Sequence, residues 1–216
     1  ADPTGAGGVM GEIIWHDVIV VWARPSDLRG FTEIDAAAMG QGQVDRLRQL
    51  SGSRAQGFLA GRALIRALVR RIRGSDEVLL SSRCDRCGAD HGRPRSAGVS
   101  LSVSHAEDLV VVAATAGSIL LGVDVEDEAA AGRLHGMGSM FPDGAAPDLA
   151  AWTRIEAAVK ADGRGFEIDP SEVLLHPSAD DADPCAWSAV LPGRASPLEI
   201  ATLVGPPGFV LSVAVG

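Results

Sequence analysis

Two segments of the chain place acids at spacings that matter for chemistry. In Gly122-Val123-Asp124-Val125-Glu126 the carboxylates stand at i and i+2 of a β-branched run. A strand sends alternate side chains to one face, so both acids leave the same side with Cα atoms about 6.5 to 7 Å apart. That face is strongly anionic unless something neutralises it. A hard divalent cation, Mg2+ or Mn2+, shared between carboxylates and substrate phosphate oxygens would do so; the plain alternative is an edge strand facing water. In Trp152-Thr153-Arg154-Ile155-Glu156-Ala157-Ala158-Val159-Lys160, Glu156 and Lys160 share a helix face, with Trp152, Ile155 and Val159 as the apolar stripe beside it. Taken alone, such a pair is most often a surface ion pair. Lys160 is nevertheless the only Lys in a chain that otherwise uses Arg, which hints that a compact ammonium is wanted there.

Cys84-x-x-Cys87-Gly88-x-x-His91 offers three zinc ligands, but a closed structural site needs four and no fourth is near in sequence. The turn Gly92-Arg93-Pro94 follows and belongs to a cationic block. Residues 46–95 hold twelve Arg against Asp76, Glu77, Asp85 and Asp90, a net +8; the remainder carries seven basic and 24 acidic residues, a net −17. Arginine's planar fork suits phosphate, so the block reads as a phosphate-binding surface, the plain reading being a solvated helix face.

These residues need elements to hold them. Glu12 to Trp22 reads as a strand ended by Pro25. Ser53 with Gln56 forms a capping-box pattern, and Phe58, Leu64, Leu68 and Ile72 make an apolar stripe while Arg62, Arg66, Arg70 and Arg73 line another face. A helix is expected from about Arg54 to Arg73, stopped at Gly74. Glu77 to Ser81 reads as a short strand and Ser82 to Ala97 as a loop. Val99 to Ser104 alternates Val/Leu with Ser, a half-buried strand delivering Ser104 and His105 to its end. Leu109–Thr115 and Ser118–Glu126 read as strands of a hairpin turning at Ala116-Gly117. A loose connection from Asp127 to Ala151 leads to a helix from Leu149 to Asp162, capped by Asp148 and ended at Gly163. Strand-like runs follow at Glu172–Leu175, Ala186–Leu191, Leu198–Leu203 and Phe209–Val215. The order suggests two similar α+β halves, residues 12–115 and 116–216.

Composition bounds the rest. With 216 residues, 46% hydrophobic, 22% charged and mean hydropathy +0.16, the chain has apolar mass for a core, which excludes disorder and collagen-like repeats. No Tyr and 4% aromatics leave that core to Val, Leu, Ala and Ile. The longest apolar run, Leu109 to Val123, is broken by Thr115, Gly117 and Ser118 and falls short of the roughly 20 residues of a membrane span. Ala1 to Gly11 shows no secretory pattern, and three Cys do not form a disulfide framework, so a reducing cytoplasm is expected.

Gly61-Arg62, Gly92-Arg93-Pro94, Ser102-Val103-Ser104-His105, Gly122-Val123-Asp124-Val125-Glu126 and Trp152-x-x-x-Glu156-x-x-x-Lys160 occur in the order and approximate spacing of the 4′-phosphopantetheinyl transferases. The chain resembles their larger, pseudo-dimeric class, which activates carrier proteins of polyketide and nonribosomal peptide synthases; the resemblance covers about residues 50 to 175. It implies two α+β halves with the active site in the cleft between them, coenzyme A as donor, Mg2+ (or Mn2+) as cofactor and an apo acyl or peptidyl carrier protein as acceptor. It also implies release of adenosine 3′,5′-bisphosphate. Carried over by position, Asp124, Glu126 and Glu156 would hold the metal, and Arg54, Arg62, Arg93, Pro94, Ser104 and His105 would grip the adenylate and phosphates. Lys160 would sit at the pyrophosphate, with Glu156, Lys160 and His105 as the catalytic residues. A monomer is expected, with neither nucleic acid nor membrane as partner.

The chain departs from the family at Ile155, where Lys is usual, at Ala106, where Ser is common, and in a shorter, less helical stretch from Asp127 to Ala151. Two rivals remain. One is a non-catalytic coenzyme A- or nucleotide-binding protein derived from such an enzyme, against which all three carboxylates and Lys160 argue. The other, a nucleic-acid-binding zinc knuckle, lacks stacking aromatics beyond Phe58.

Overall fold

Val, Ile and Trp favour extended backbone, and the run that carries them folds back on itself. Strand β1 (Gly11–Trp15) pairs antiparallel with β2 (Val18–Ala23), turning at His16-Asp17, where His16 takes a φ of +50°. The single strand expected over Glu12–Trp22 is therefore a hairpin, missed because His-Asp lacks the Asn-Gly signature of such turns. The structure, a computed structural model, describes residues 10–28, 30–141, 144–178 and 186–216. It divides into two compact units, Ala1–Ser118 and Ile119–Gly216, each an antiparallel sheet with a long helix against it, an α+β architecture. Among the described residues no helix is long and apolar enough to cross a membrane.

In the first unit, short helices α1 (Glu33–Ala37) and α2 (Gln41–Arg48) precede α3 (Gly52–Arg73), then β3 (Val99–Ala106) and β4 (Leu109–Ala116). The sheet order is β1-β2-β4-β3. One face of α3 buries Ala60, Leu64, Ile65, Leu68 and Val69 against Val21, Leu101, Val110 and Val112. The helix ends as its sequence demands, Gly74 taking the left-handed conformation at φ +65°. Its start differs: the N-cap is Ser51, ahead of the expected Ser53 capping box, and the helix runs from Gly52.

Three further expectations are corrected. Glu77–Ser81 makes no strand; only an isolated bridge joins Ser81 to Arg95. Leu109–Ala116 and the next strand do not form a hairpin about Ala116-Gly117. Instead β4 lies between β2 and β3, and β5 (Leu121–Asp127) belongs to the other sheet. A glycine at positive φ, here Gly117 at +88°, turns a chain equally well between sheets as within one. The hairpin that does form joins β3 to β4 through Glu107-Asp108. The serine face of β3 is not left to water either, since Ser102 and Ser104 are both buried.

The second unit runs β5, short helix α4 (Ala131–Leu134), α5 (Leu149–Asp162), β6 (Leu174–Pro177), β7 (Ala186–Val190), β8 (Leu198–Leu203) and β9 (Phe209–Val215). Its sheet order is β5-β9-β8-β7-β6. Helix α5 is capped as expected, the Asp148 carboxylate accepting from the Ala151 N–H at 2.7 Å and Gly163 ending it at φ +87°. It packs Ile155, Ala157, Ala158 and Ala161 on Leu198, Ile200 and Ala214. The two units share a connectivity. In each a strand leads to the long helix, and the last strand lies between that strand and the penultimate one: β2-β4-β3 in the first, β5-β9-β8 in the second.

Candidate functional site

Gly122 sets the distance between the two acidic segments. A Cβ there would stand 1.9 Å from the Ala157 carbonyl oxygen and 2.5 Å from the Ala161 nitrogen, so β5 and α5 touch backbone to backbone. Strand alternation then puts Asp124 and Glu126 on the side of Gly122, while helix spacing puts Glu156 and Lys160 a turn apart on α5. Lys160 Nζ donates to Asp124 Oδ1 at 2.6 Å, and the Asp124 side chain is only 5% exposed. Lys160 thus reaches across from the helix to a buried carboxylate on the strand, and its charge also lowers Glu156 on its own helix.

The remaining carboxylates feel the same surplus of negative charge. Burial, then the neighbouring Asp124, pushes Glu126 above its ordinary range; Arg133, Lys160 and a hydrogen bond from Trp152 oppose that rise. Burial and Asp124 also raise Glu156, and Glu126 adds to it. Three acids share Lys160, with Arg133 also near Glu126, and each negative charge makes the next harder to form. Trp152, expected only as part of an apolar stripe, holds Glu126 by a side-chain hydrogen bond, while Ile155 lies in the core at 4% exposure.

The donor set fits a hard dication: only carboxylates, on two rigid elements locked by a glycine contact. The oxygens of Asp124, Glu126 and Glu156 are not drawn together, however. Among the described residues the one group of three ligating atoms all within 4.8 Å of one another is Cys84, Cys87 and His91.

The arginine-side residues lie in the first unit. Arg62 is 7% exposed, its Nε donating to Gln43 Oε1 at 2.7 Å and its Nη2 to the Ser82 hydroxyl at 3.3 Å, with the guanidinium 4.1 Å over the Phe58 ring. Burial, with Arg46 nearby, lowers its pKa to about 10. Arg62 therefore ties α2, α3 and the loop after Leu80 together from inside. Arg93 is partly buried and donates to the Leu101 carbonyl at 3.0 Å, with Pro94 beside it in the loop. Arg54 is exposed on the first turn of α3. His105 lies along α3 where Gly57 and Gly61, one turn apart, leave room; Cβ atoms there would stand 3.5 Å from its Cδ2 and 3.7 Å from its Nε2. Ser104 is buried next to it on β3. Gln43 and Ser82 carried no signal in the sequence, because their role exists only around the buried guanidinium.

The block's charge is also partly spent internally. Arg48 pairs with Glu33, Arg66 with Asp35 and Arg71 with Glu12, all acids outside the 46–95 window, while Arg70 pairs with Asp76 and Arg95 with Asp85. No protein-family model matches the chain, and no curated protein matches it.

Proposed function

We propose that the protein is a 4′-phosphopantetheinyl transferase, moving 4′-phosphopantetheine from coenzyme A to a serine hydroxyl of an apo acyl or peptidyl carrier protein. The observation that carries this reading is the packing of the Gly122–Glu126 strand on the Trp152–Lys160 helix, which brings the acids and the single lysine of both motifs into one charged cluster. Asp124, Glu126 and Glu156 would hold Mg2+ or Mn2+, which when bound supplies charge neutralisation at the pyrophosphate.

Glu156, on the helix beside the strand acids, is the group placed to take the proton of the attacking serine. The serine oxygen bonds to the β-phosphorus as the bridging pyrophosphate oxygen departs with adenosine 3′,5′-bisphosphate, whose charge Lys160 meets. Arg54, Arg93 and His105 serve the adenylate and phosphates on this reading, which requires both α+β units, as a pseudo-dimer, to act on one coenzyme A molecule.

The test is mass spectrometry of an apo carrier protein incubated with this protein, coenzyme A and Mg2+. The expected result is a gain of one phosphopantetheine, lost in Asp124→Ala and in excess chelator. Coenzyme A binding by calorimetry without transfer to any of a panel of acyl and peptidyl carriers would instead identify a non-catalytic binding protein.

A further inference from the structure

The loop between Ser82 and Arg93 is built as a knuckle. Cys84 N donates to the Ala89 carbonyl at 2.8 Å, Gly88 N to the Cys84 carbonyl at 2.8 Å and Gly92 N to the Ser82 carbonyl at 2.6 Å. Two glycines make this possible. Gly88 takes a φ of +75°, and a Cβ on Gly92 would stand 2.9 Å from the Arg83 carbonyl oxygen and 3.0 Å from the Cys84 nitrogen. The chain thereby returns His91 to Cys84 and Cys87. Cys87 Sγ lies 2.9 Å from His91 Nε2, and the three ligand atoms fall within 4.8 Å of one another.

Backbone N–H groups of Cys87 and Arg86 point at the Cys84 sulfur. Such N–H···S bonds stabilise a sulfur that carries charge, as one bound to a cation does. The nearby acids are engaged elsewhere. Asp85 is paired with Arg95, and the Asp90 carboxylate fills the space beside Gly42, where a Cβ would meet it at 2.5 Å.

We propose that Cys84, Cys87 and His91 bind one Zn2+ as a three-ligand site whose fourth position is taken by water. Two thiolates and a neutral imidazole match the charge and softness of Zn2+, whereas the hard dications suited to the carboxylates are poor partners for sulfur. The site acts as a clip. It closes the loop that presents Ser82 to the buried Arg62 at one end and Arg93 to Leu101 at the other. This goes beyond the transferase reading and does not depend on it, because metal content is measured without coenzyme A.

The experiment loads the full chain with zinc sulfate under reducing conditions, desalts it and measures metal by mass spectrometry. Cobalt substitution is recorded in parallel by absorption. The expected result is one zinc per chain, a sulfur-to-cobalt charge-transfer band, and zinc affinity lower by roughly a hundredfold or more in Cys87→Ser and His91→Ala. Cys185→Ser should keep its zinc; loss there would overturn the three-ligand assignment. Wild-type protein without zinc after desalting, zinc retained by both ligand variants, or a Cys84–Cys87 disulfide in its place would overturn the proposal. Should the variants fail to fold, the wild-type cobalt spectrum decides, since no charge-transfer band means no thiolate ligand.

Discussion

At Arg62 a guanidinium sits inside the first unit with neutral partners, and no carboxylate is paired with it among the described residues. Removing it strands the Gln43 amide oxygen and empties the space over Phe58. Arg62→Ala should therefore lose about 2 to 4 kcal/mol in urea denaturation, whereas exposed Arg54→Ala should stay within about 0.5 kcal/mol of the parent. If the transferase reading holds, Arg54→Ala should still weaken coenzyme A binding by calorimetry, separating ligand contact from support.

Asp162, at the end of α5, behaves differently because two cations hold it. Its side chain is 2% exposed and accepts from Arg164 Nε at 2.6 Å and Arg194 Nη1 at 3.1 Å. The Arg164 bond, opposed by burial and reinforced by Arg194, leaves its pKa below the ordinary 3.8. A depressed folded value stabilises the fold above the unfolded pKa and loses that contribution as pH falls through the lowered one. The stability gap between wild type and Asp162→Asn, about 2 to 3 kcal/mol at neutral pH, should hold above pH 5 and close below 3.8, read by thermal melts across that window.

The elements separate two glycines that the motifs alone do not distinguish. Gly122→Ala would drive a methyl into the backbone of α5 and push apart the strand and helix that carry Asp124, Glu156 and Lys160. A loss of about 3 kcal/mol or more is expected, and on the transferase reading phosphopantetheine transfer should fall with it. Gly61→Ala meets side chains at ordinary contact distance, nearest 3.5 Å, and gains helix propensity, so its stability should change by less than about 1 kcal/mol. Equal losses in both variants, measured by urea titration, would show that the β5–α5 contact is not special.

Across the whole molecule the charges sum to −9. On the transferase reading, a carrier protein of the expected acidic kind would be repelled at long range, so its docking would rely on local apolar and arginine contacts. Salt screens that repulsion, though it also weakens phosphate binding by arginine. With coenzyme A saturating only the first effect remains, and the apparent Michaelis constant for carrier should fall or stay flat as moderate salt is added. A steep rise would mean that basic patches dominate docking; five of the block's arginines already paired internally make that outcome unexpected.

Helices α3 and α5 were legible from sequence nearly to the residue. Apolar periodicity over 14 to 22 residues and a glycine stop are local signals that need no partner to be read. Strands β8 and β9 were legible as apolar runs between Pro and Gly turns, and the acids at i and i+2 and the Glu156/Lys160 spacing are equally local patterns. Helices α1 and α2 went unread because five and eight residues carry too little periodicity to register. The partners of those side chains were not local. That Lys160 would reach Asp124, that Trp152 would hold Glu126 and that Gln43 would receive Arg62 depends on contacts 19 to 36 residues apart. Such contacts form only where burial removes water as the competing partner, and burial belongs to the tertiary structure.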